Sequence, residues 1–329
     1  MQQAFQVFMN KIIDYAGLFP PAKLSMGKAF LNYSQYRQTA DNWMLSRFIC
    51  PAKRLNELNE FSETILNEGD PFNFSVLGRG GKNAEDWLGN LETDLSDIAS
   101  FNQIYGDRAI MDVFEVRLPP DIYKSNDAAN IYQFLNSVAD IVEKNGSHRF
   151  RPFYEIKLKD DWKSNISATT KALSKHNRHL NHPGKYKRYS SGGFKLRCGG
   201  VEPQLYPSPE QVAFAIAACR DQQVALKATA GLHRPLRHYN QQEQVHMHGF
   251  LNVFGAGILA AVHQLDTEQI QKIIEDRDRK HFSFTETSFS WNYIQASLEE
   301  TATARRRVVS FGSCSFDEPR EDLHTLGLI

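Results

Sequence analysis

The chain has 329 residues, 38 Lys and Arg against 38 Asp and Glu, and no formal net charge. Its 41% hydrophobic content supplies a packed core and excludes global disorder. The charge balance excludes a general nucleic-acid binder and a protein held to an anionic membrane by net charge. Four scattered cysteines (Cys50, Cys198, Cys219, Cys314), with no C-x-x-C pair, argue against a zinc knot or a disulfide scaffold. The first ten residues lack the basic start and apolar run of a signal peptide. The most apolar stretch, Gly249–Val262, is too short for a bilayer and carries Asn252 and several glycines. The expectation is a cytoplasmic protein with no membrane or nucleic-acid partner.

In chain order, short apolar or β-branched runs predict strands at Lys11–Ala16, Arg47–Cys50, Phe72–Leu77, Ala109–Leu118, Arg151–Leu158, Gly193–Arg197, Val224–Ala228 and Phe282–Thr285. Between them lie amphipathic segments such as Gly27–Met44, Arg54–Asn67, Asn83–Asn102 and Ala128–Lys144. In the last of these, Ile131, Phe134, Leu135, Val138, Ile141 and Val142 follow helical spacing. Ser25 and the Ser208-Pro209-Glu210 run are helix-start signals. Strand alternating with helix means parallel pairing through right-handed crossovers, and eight repeats predict a closed (β/α)8 barrel of TIM type. The chain reads as one domain, with a mobile basic loop at 175–192, a helical insertion at 232–280 and a C-terminal extension at 308–329. The basic loop is also a candidate lid over an anionic substrate.

Barrel enzymes place their chemistry at the carboxyl ends of the strands. The polar residues expected there are Asp14, Cys50, Asp112, Glu115, Glu155, Lys157, Lys195, Arg197, Cys198, Lys227, Thr229, His233 and, on the eighth strand, Thr285 and Glu286. Strand alternation puts Lys195 and Arg197 on one face with Leu196 on the other, and Lys227 and Thr229 on one face opposite Leu226 and Ala228. Two inward lysines on adjacent strands are expected to lie close together. A lysine in such company is a candidate Schiff-base nucleophile or general base. Asp14, Asp112, Glu115 and Glu155 are the groups to balance the charge. A structural ion-pair network at the amino end of the barrel is the plain alternative.

The segments FKLRCGG and LKATAGLHRP resemble the sixth and seventh strands of class I deoxyribose-phosphate aldolases. The resemblance implies a Schiff-base role for Lys195 and a proton-relaying role for Lys227. Asp14, Cys50 and Asp112 fall in order on the positions of that family's first, second and fourth strands. Arg197 and Glu155 have no counterpart there. The blocks DYAGLFPPA, KATAGLHRP, HGFLNVF and FGSCSFDEP also resemble the signature of a bacterial (β/α)8-barrel family.

Histidines crowd the region after the seventh strand: His233, His238, His246, His248 and His263. His246 and His248 form an H-x-H ahead of a run that reads as a buried helix. Residues two apart on a helix do not share a face. His248 and Asn252, four apart, are expected to face the barrel mouth. Gly78-Arg79-Gly80-Gly81 is a candidate anion cradle, but no P-loop, Rossmann fingerprint or nucleophile elbow is present. Cys198 beside Arg197 reads as a packing residue with a reactive alternative.

The sequence therefore predicts a barrel enzyme, an aldolase-like carbon–carbon lyase or an isomerase, acting on a small anionic carbonyl metabolite through a lysine imine or enolate. Lys195, Lys227, Glu155, Asp112 and Asp14 are the expected catalytic groups. Arg197, His233, Thr229, His248, Asn252 and Glu115 are the expected substrate contacts, with no cofactor and no metal ligand. Self-association into a homo-oligomer stays open. The alternatives are a metal-dependent hydrolase or lyase using His233, His246 and His248, and a non-catalytic metabolite-binding barrel.

Overall fold

A computed structural model describes residues 1–61, 69–147, 149–180 and 186–329. Eight parallel strands close into a barrel: β1 (Ile13–Tyr15), β2 (Leu45–Pro51), β3 (Phe72–Leu77), β4 (Ala109–Arg117), β5 (Arg151–Glu155), β6 (Gly193–Arg197), β7 (Ala225–Thr229) and β8 (Val308–Ser313). β8 lies between β7 and β1 and completes the ring. The fold is a (β/α)8 barrel.

The first seven strands fall where the sequence puts them. The eighth does not. Phe282–Phe284 begins a separate three-stranded antiparallel sheet with Ser288–Trp291 and Ile294–Ser297. The barrel is closed instead by Val308–Ser313, inside the stretch read as a C-terminal extension. The physical reason lies in the helix Phe250–His263, buried along nearly its whole length. Its Phe250 stacks on Phe311 at 5.1 Å, and Gly257 leaves room for Val308. This helix packs on β8, so residues 232–280 contain a helix that covers a barrel strand. The small sheet instead seats the N-terminal helix Gln3–Met9, where Phe5 and Phe8 meet Phe284 edge-on.

Helix starts follow local chemistry. Asn83 caps Ala84–Tyr105 by accepting from the Asp86 N–H, and Ser208 and Gln211 form a reciprocal capping box at the start of Pro209–Asp221. After β2 the chain forms the 3₁₀ segment Ala52–Phe61, and residues 62–67 of the expected helix lie outside the described residues. Residues 175–180 of the expected basic loop end the helix Trp162–Leu180, and 181–185 lie outside the described residues. Among the described residues no helix is long and apolar enough to cross a membrane.

The chain divides into two compact units. One comprises residues 1–23, 36–46 and 196–329, and carries β1, β7 and β8. The other comprises 24–35 and 47–195, and carries β3, β4, β5 and the start of β6 through Lys195. The core of the second unit is strongly aromatic: Phe30 lies against Phe48, Phe72 and Phe74.

Candidate functional site

Among the described residues, Lys195 and Lys227 are the buried lysines, one in each unit, and each meets a carboxylate on another strand. In the second unit, Arg117 on β4 pairs in register with Glu155 on β5, and Glu155 with Lys195 on β6. Lys195 Nζ lies 2.9 Å from Glu115 Oε2 and 3.4 Å from Glu155 Oε2. Reaching from β6 across β5 to Glu115 on β4 requires the concave face of the sheet. The remaining carboxylate oxygens are also engaged. Ser75 Oγ donates to Glu115 Oε1 at 2.6 Å, and Arg117 Nη2 donates to Glu155 Oε1 at 2.6 Å. Two cations thus face two carboxylates. Glu155 ends β5 and Arg117 ends β4, so the cluster occupies the carboxyl half of these strands. Lys195 is 5% exposed, whereas the Arg117 side chain is 44% exposed and forms the open edge.

Asp112, expected beside this group, lies elsewhere. β4 is bulged there: Met111 pairs with Phe74 and Val113 with Ser75, so Asp112 has no partner on β3. Arg47 Nε near the start of β2 donates to its carboxylate at 2.6 Å. The pair occupies the amino half of β4.

In the first unit, Lys227 on β7 bonds Asp14 on β1 and donates to Ser310 Oγ on β8 at 3.2 Å. Ser310 Oγ donates to Asp14 Oδ2 at 2.6 Å. Lys227 and Asp14 are both fully buried. This is a charge-neutral pair with a hydroxyl bridge, sealed from solvent. Each lysine therefore has a carboxylate partner within its own unit.

The remaining residues divide by role. Arg197 Nη1 donates to the Gly199 carbonyl at 3.2 Å, and Thr229 ends β7 with its carbonyl accepting from the Cys198 N–H. His233 follows β7, with Nδ1 3.2 Å from Glu318 Oε2 and 3.8 Å from Cys314 Sγ. His248 and Asn252, expected at the barrel mouth, are fully buried. His248 Nε2 donates to the Pro207 carbonyl at 2.8 Å and Nδ1 accepts from Arg237. Burial lowers its pKa to about 4, so the ring is neutral. Asn252 Oδ1 accepts from the Arg237 N–H, and its amide donates to the Ile273 and Asp276 carbonyls. Both side chains tie backbone segments together, which is why they are inside.

The H-x-H lies at a strand rather than a helix. Val245–Met247 pairs antiparallel with His238–Asn240, and the helix starts only at Phe250. Even so, the His246 ring turns to Arg277 while His248 turns to Pro207. Among the described residues no group of three or more His, Cys, Asp or Glu is arranged to hold a metal ion. The glycine-rich turn after β3 is filled from within: Arg79 pairs with Asp94 and Asp97 of the next helix, and the Arg79 N–H donates to Asp94 at 2.9 Å. Burial pushes the Cys198 thiol up to about 12, against the opposing effect of Arg197, as befits a packing residue.

Sequence reasoning missed Ser75, Arg117 and Ser310. Arg117 was legible as the same-face neighbour of Glu115 in FEVR. Ser310 was hidden by the misplaced eighth strand. No family model matches the chain, and no curated protein matches it.

Proposed function

We propose that the protein is an aldolase-like carbon–carbon lyase or an isomerase that acts on a small anionic carbonyl metabolite through an imine on Lys195. The observation that carries this reading is a single buried ammonium flanked by the Oε2 atoms of two glutamates in the carboxyl half of the barrel strands. An amine attacks a carbonyl only after losing a proton, and Glu155 at 3.4 Å is the acceptor. The neutral amine adds to the carbonyl carbon, one N–H proton passes to the resulting alkoxide, and Glu155 returns the first proton to the departing hydroxyl, releasing water and leaving an iminium. The iminium then draws electrons from an adjacent C–H bond, whose proton passes to the Glu155 carboxylate, or from the Cα–Cβ bond, whose β-hydroxyl gives its proton to Glu155 as that fragment leaves as a carbonyl compound. Glu155 protonates the enamine so formed, and water hydrolyses the imine to free Lys195. Glu115, which accepts from Ser75, is the fixed counter-charge. Arg117, at the open edge, binds the substrate's carboxylate or phosphate. Lys227 stands outside the reacting set.

The test is reductive trapping. The protein is mixed with small aldehydes, ketones and 2-oxo acids, phosphorylated and not, then reduced with borohydride and weighed intact. One added mass per chain is expected, and that mass identifies the carbonyl compound. No adduct with any member of the set overturns the imine reading.

A further inference from the structure

His233 in the loop after β7 and Cys314 directly after β8 converge at the carboxyl ends of those strands, outside the lysine clusters. Cys314 Sγ lies 3.8 Å from His233 Nδ1, and Glu318 Oε2, from the first turn of the helix Asp317–Thr325, lies 3.2 Å from the same nitrogen. The three come from different elements of one unit. Burial works against charging the ring, but Cys314 and Glu318 outweigh it and raise the His233 pKa from 6.5 to about 9. Arg234 faces Glu318, and His238, with Arg234 and Asp322 nearby, faces His233. The other three cysteines are different. Cys50, Cys198 and Cys219 are fully buried, and burial pushes each of their thiols up. None of them has an imidazole partner in the structure's sulfur bonds, which run from Cys50 and Cys198 to backbone carbonyls.

We propose that Cys314, with His233 and Glu318, is a covalent capture site for small aldehydes. An imidazolium beside a sulfur favours the thiolate, the form that attacks carbon. The thiolate adds to the aldehyde carbon, and a C–S bond forms. The carbonyl π electrons move to oxygen, and His233 Nδ1 gives that oxygen its proton. The product is a neutral hemithioacetal beside a neutral imidazole. Nothing leaves, and no oxidant is needed. One acid adjacent to one nucleophile suffices for addition, and those are the groups present. Glu318 holds the ring and orients Nδ1–H, so it is a positioning residue. Cys314 is 7% exposed, which restricts the ligand to a small one.

The experiment is iodoacetamide labelling of the native full chain, with the rate at each cysteine read by peptide mass. Cys314 is expected to react at least ~10-fold faster than the other three. In His233→Gln that advantage is expected to be lost. Glu318→Gln, at a largely exposed position, provides an intermediate rate if the histidine variant fails to fold. Acetaldehyde or glycolaldehyde is expected to slow labelling at Cys314, in the wild type and equally in Lys195→Met, which separates this site from the lysine reading. Labelling no faster than at the buried cysteines, or an undiminished rate in folded His233→Gln, overturns the thiolate site. Absence of protection by either aldehyde overturns the ligand assignment.

Discussion

Two buried lysines in the two units of this barrel look alike in sequence and differ in their surroundings. Lys227 meets Asp14 and a serine hydroxyl, and the group is closed to solvent. Lys195 meets two glutamates, one of which is shared with a half-exposed arginine. The first arrangement satisfies a charge and holds β1, β7 and β8 in register. The second offers a proton acceptor on each side of the amine and an open cationic edge. Charge is balanced in both groups, so what separates them is access: only the Lys195 group has an exposed member, Arg117.

The comparison breaks most sharply at Lys195. Lys195→Met is expected to abolish reductive trapping and to lower turnover of the trapped compound by about 10⁴-fold or more, as loss of a covalent nucleophile does. Among its partners, Glu155→Gln is expected to slow turnover by roughly 10²- to 10⁴-fold, the range for loss of general acid–base catalysis. Glu115→Gln is expected to cost less in turnover, and steady-state rates of the two variants side by side check the assignment. Lys227→Met should keep its trapped adduct. It should lose about 3–5 kcal/mol of stability in urea unfolding, because it strands the buried Asp14 carboxylate. Adding Asp14→Leu should recover most of that loss, since an apolar pair of similar volume replaces a buried ion pair at little cost.

The smallest effect concerns pH. Burial lowers the pKa of His176 to about 3 and that of His248 to about 4, both below the ordinary 6.5. A lowered histidine stabilises the fold above pH 6.5, and the contribution is lost as pH falls from there through the folded values. His233 has the opposite sign. Raised to about 9, it contributes fully below pH 6.5, and the contribution is lost as pH rises through 9. Thermal melts from pH 4 to 10 should therefore fall off on both sides, and His233→Gln should flatten the alkaline limb alone.

Much of this molecule was legible in the sequence, and the gaps have physical causes. The runs at 72–77, 109–118 and 193–197 stand out because β-branched and aromatic residues sit between turn residues and long helical patterns. FSFT and VVSFGS look equally strand-like, and only the packing of Phe311 and Val308 on the helix Phe250–His263 decides which one closes the barrel. Those contacts link positions some fifty to sixty residues apart and leave no local mark. The acidic pair on β4 shows the same limit. Asp112 and Glu115 have opposite parity on a regular strand, yet the bulge at Asp112 lets one reach Arg47 and the other Lys195. Bulges do not announce themselves in sequence. His248 and Asn252 were misread because a buried polar residue that ties backbone together has the same spacing as one that faces a ligand.

The most direct test is site-resolved trapping. Wild-type protein and Lys227→Met are reduced with borodeuteride in the presence of the trapped carbonyl compound, digested and mapped lysine by lysine. The account predicts deuterium-bearing adduct at Lys195 in both proteins, at equal yield and at no other buried lysine. Adduct at Lys227 in the wild type, or its disappearance from Lys195 in folded Lys227→Met, would contradict it.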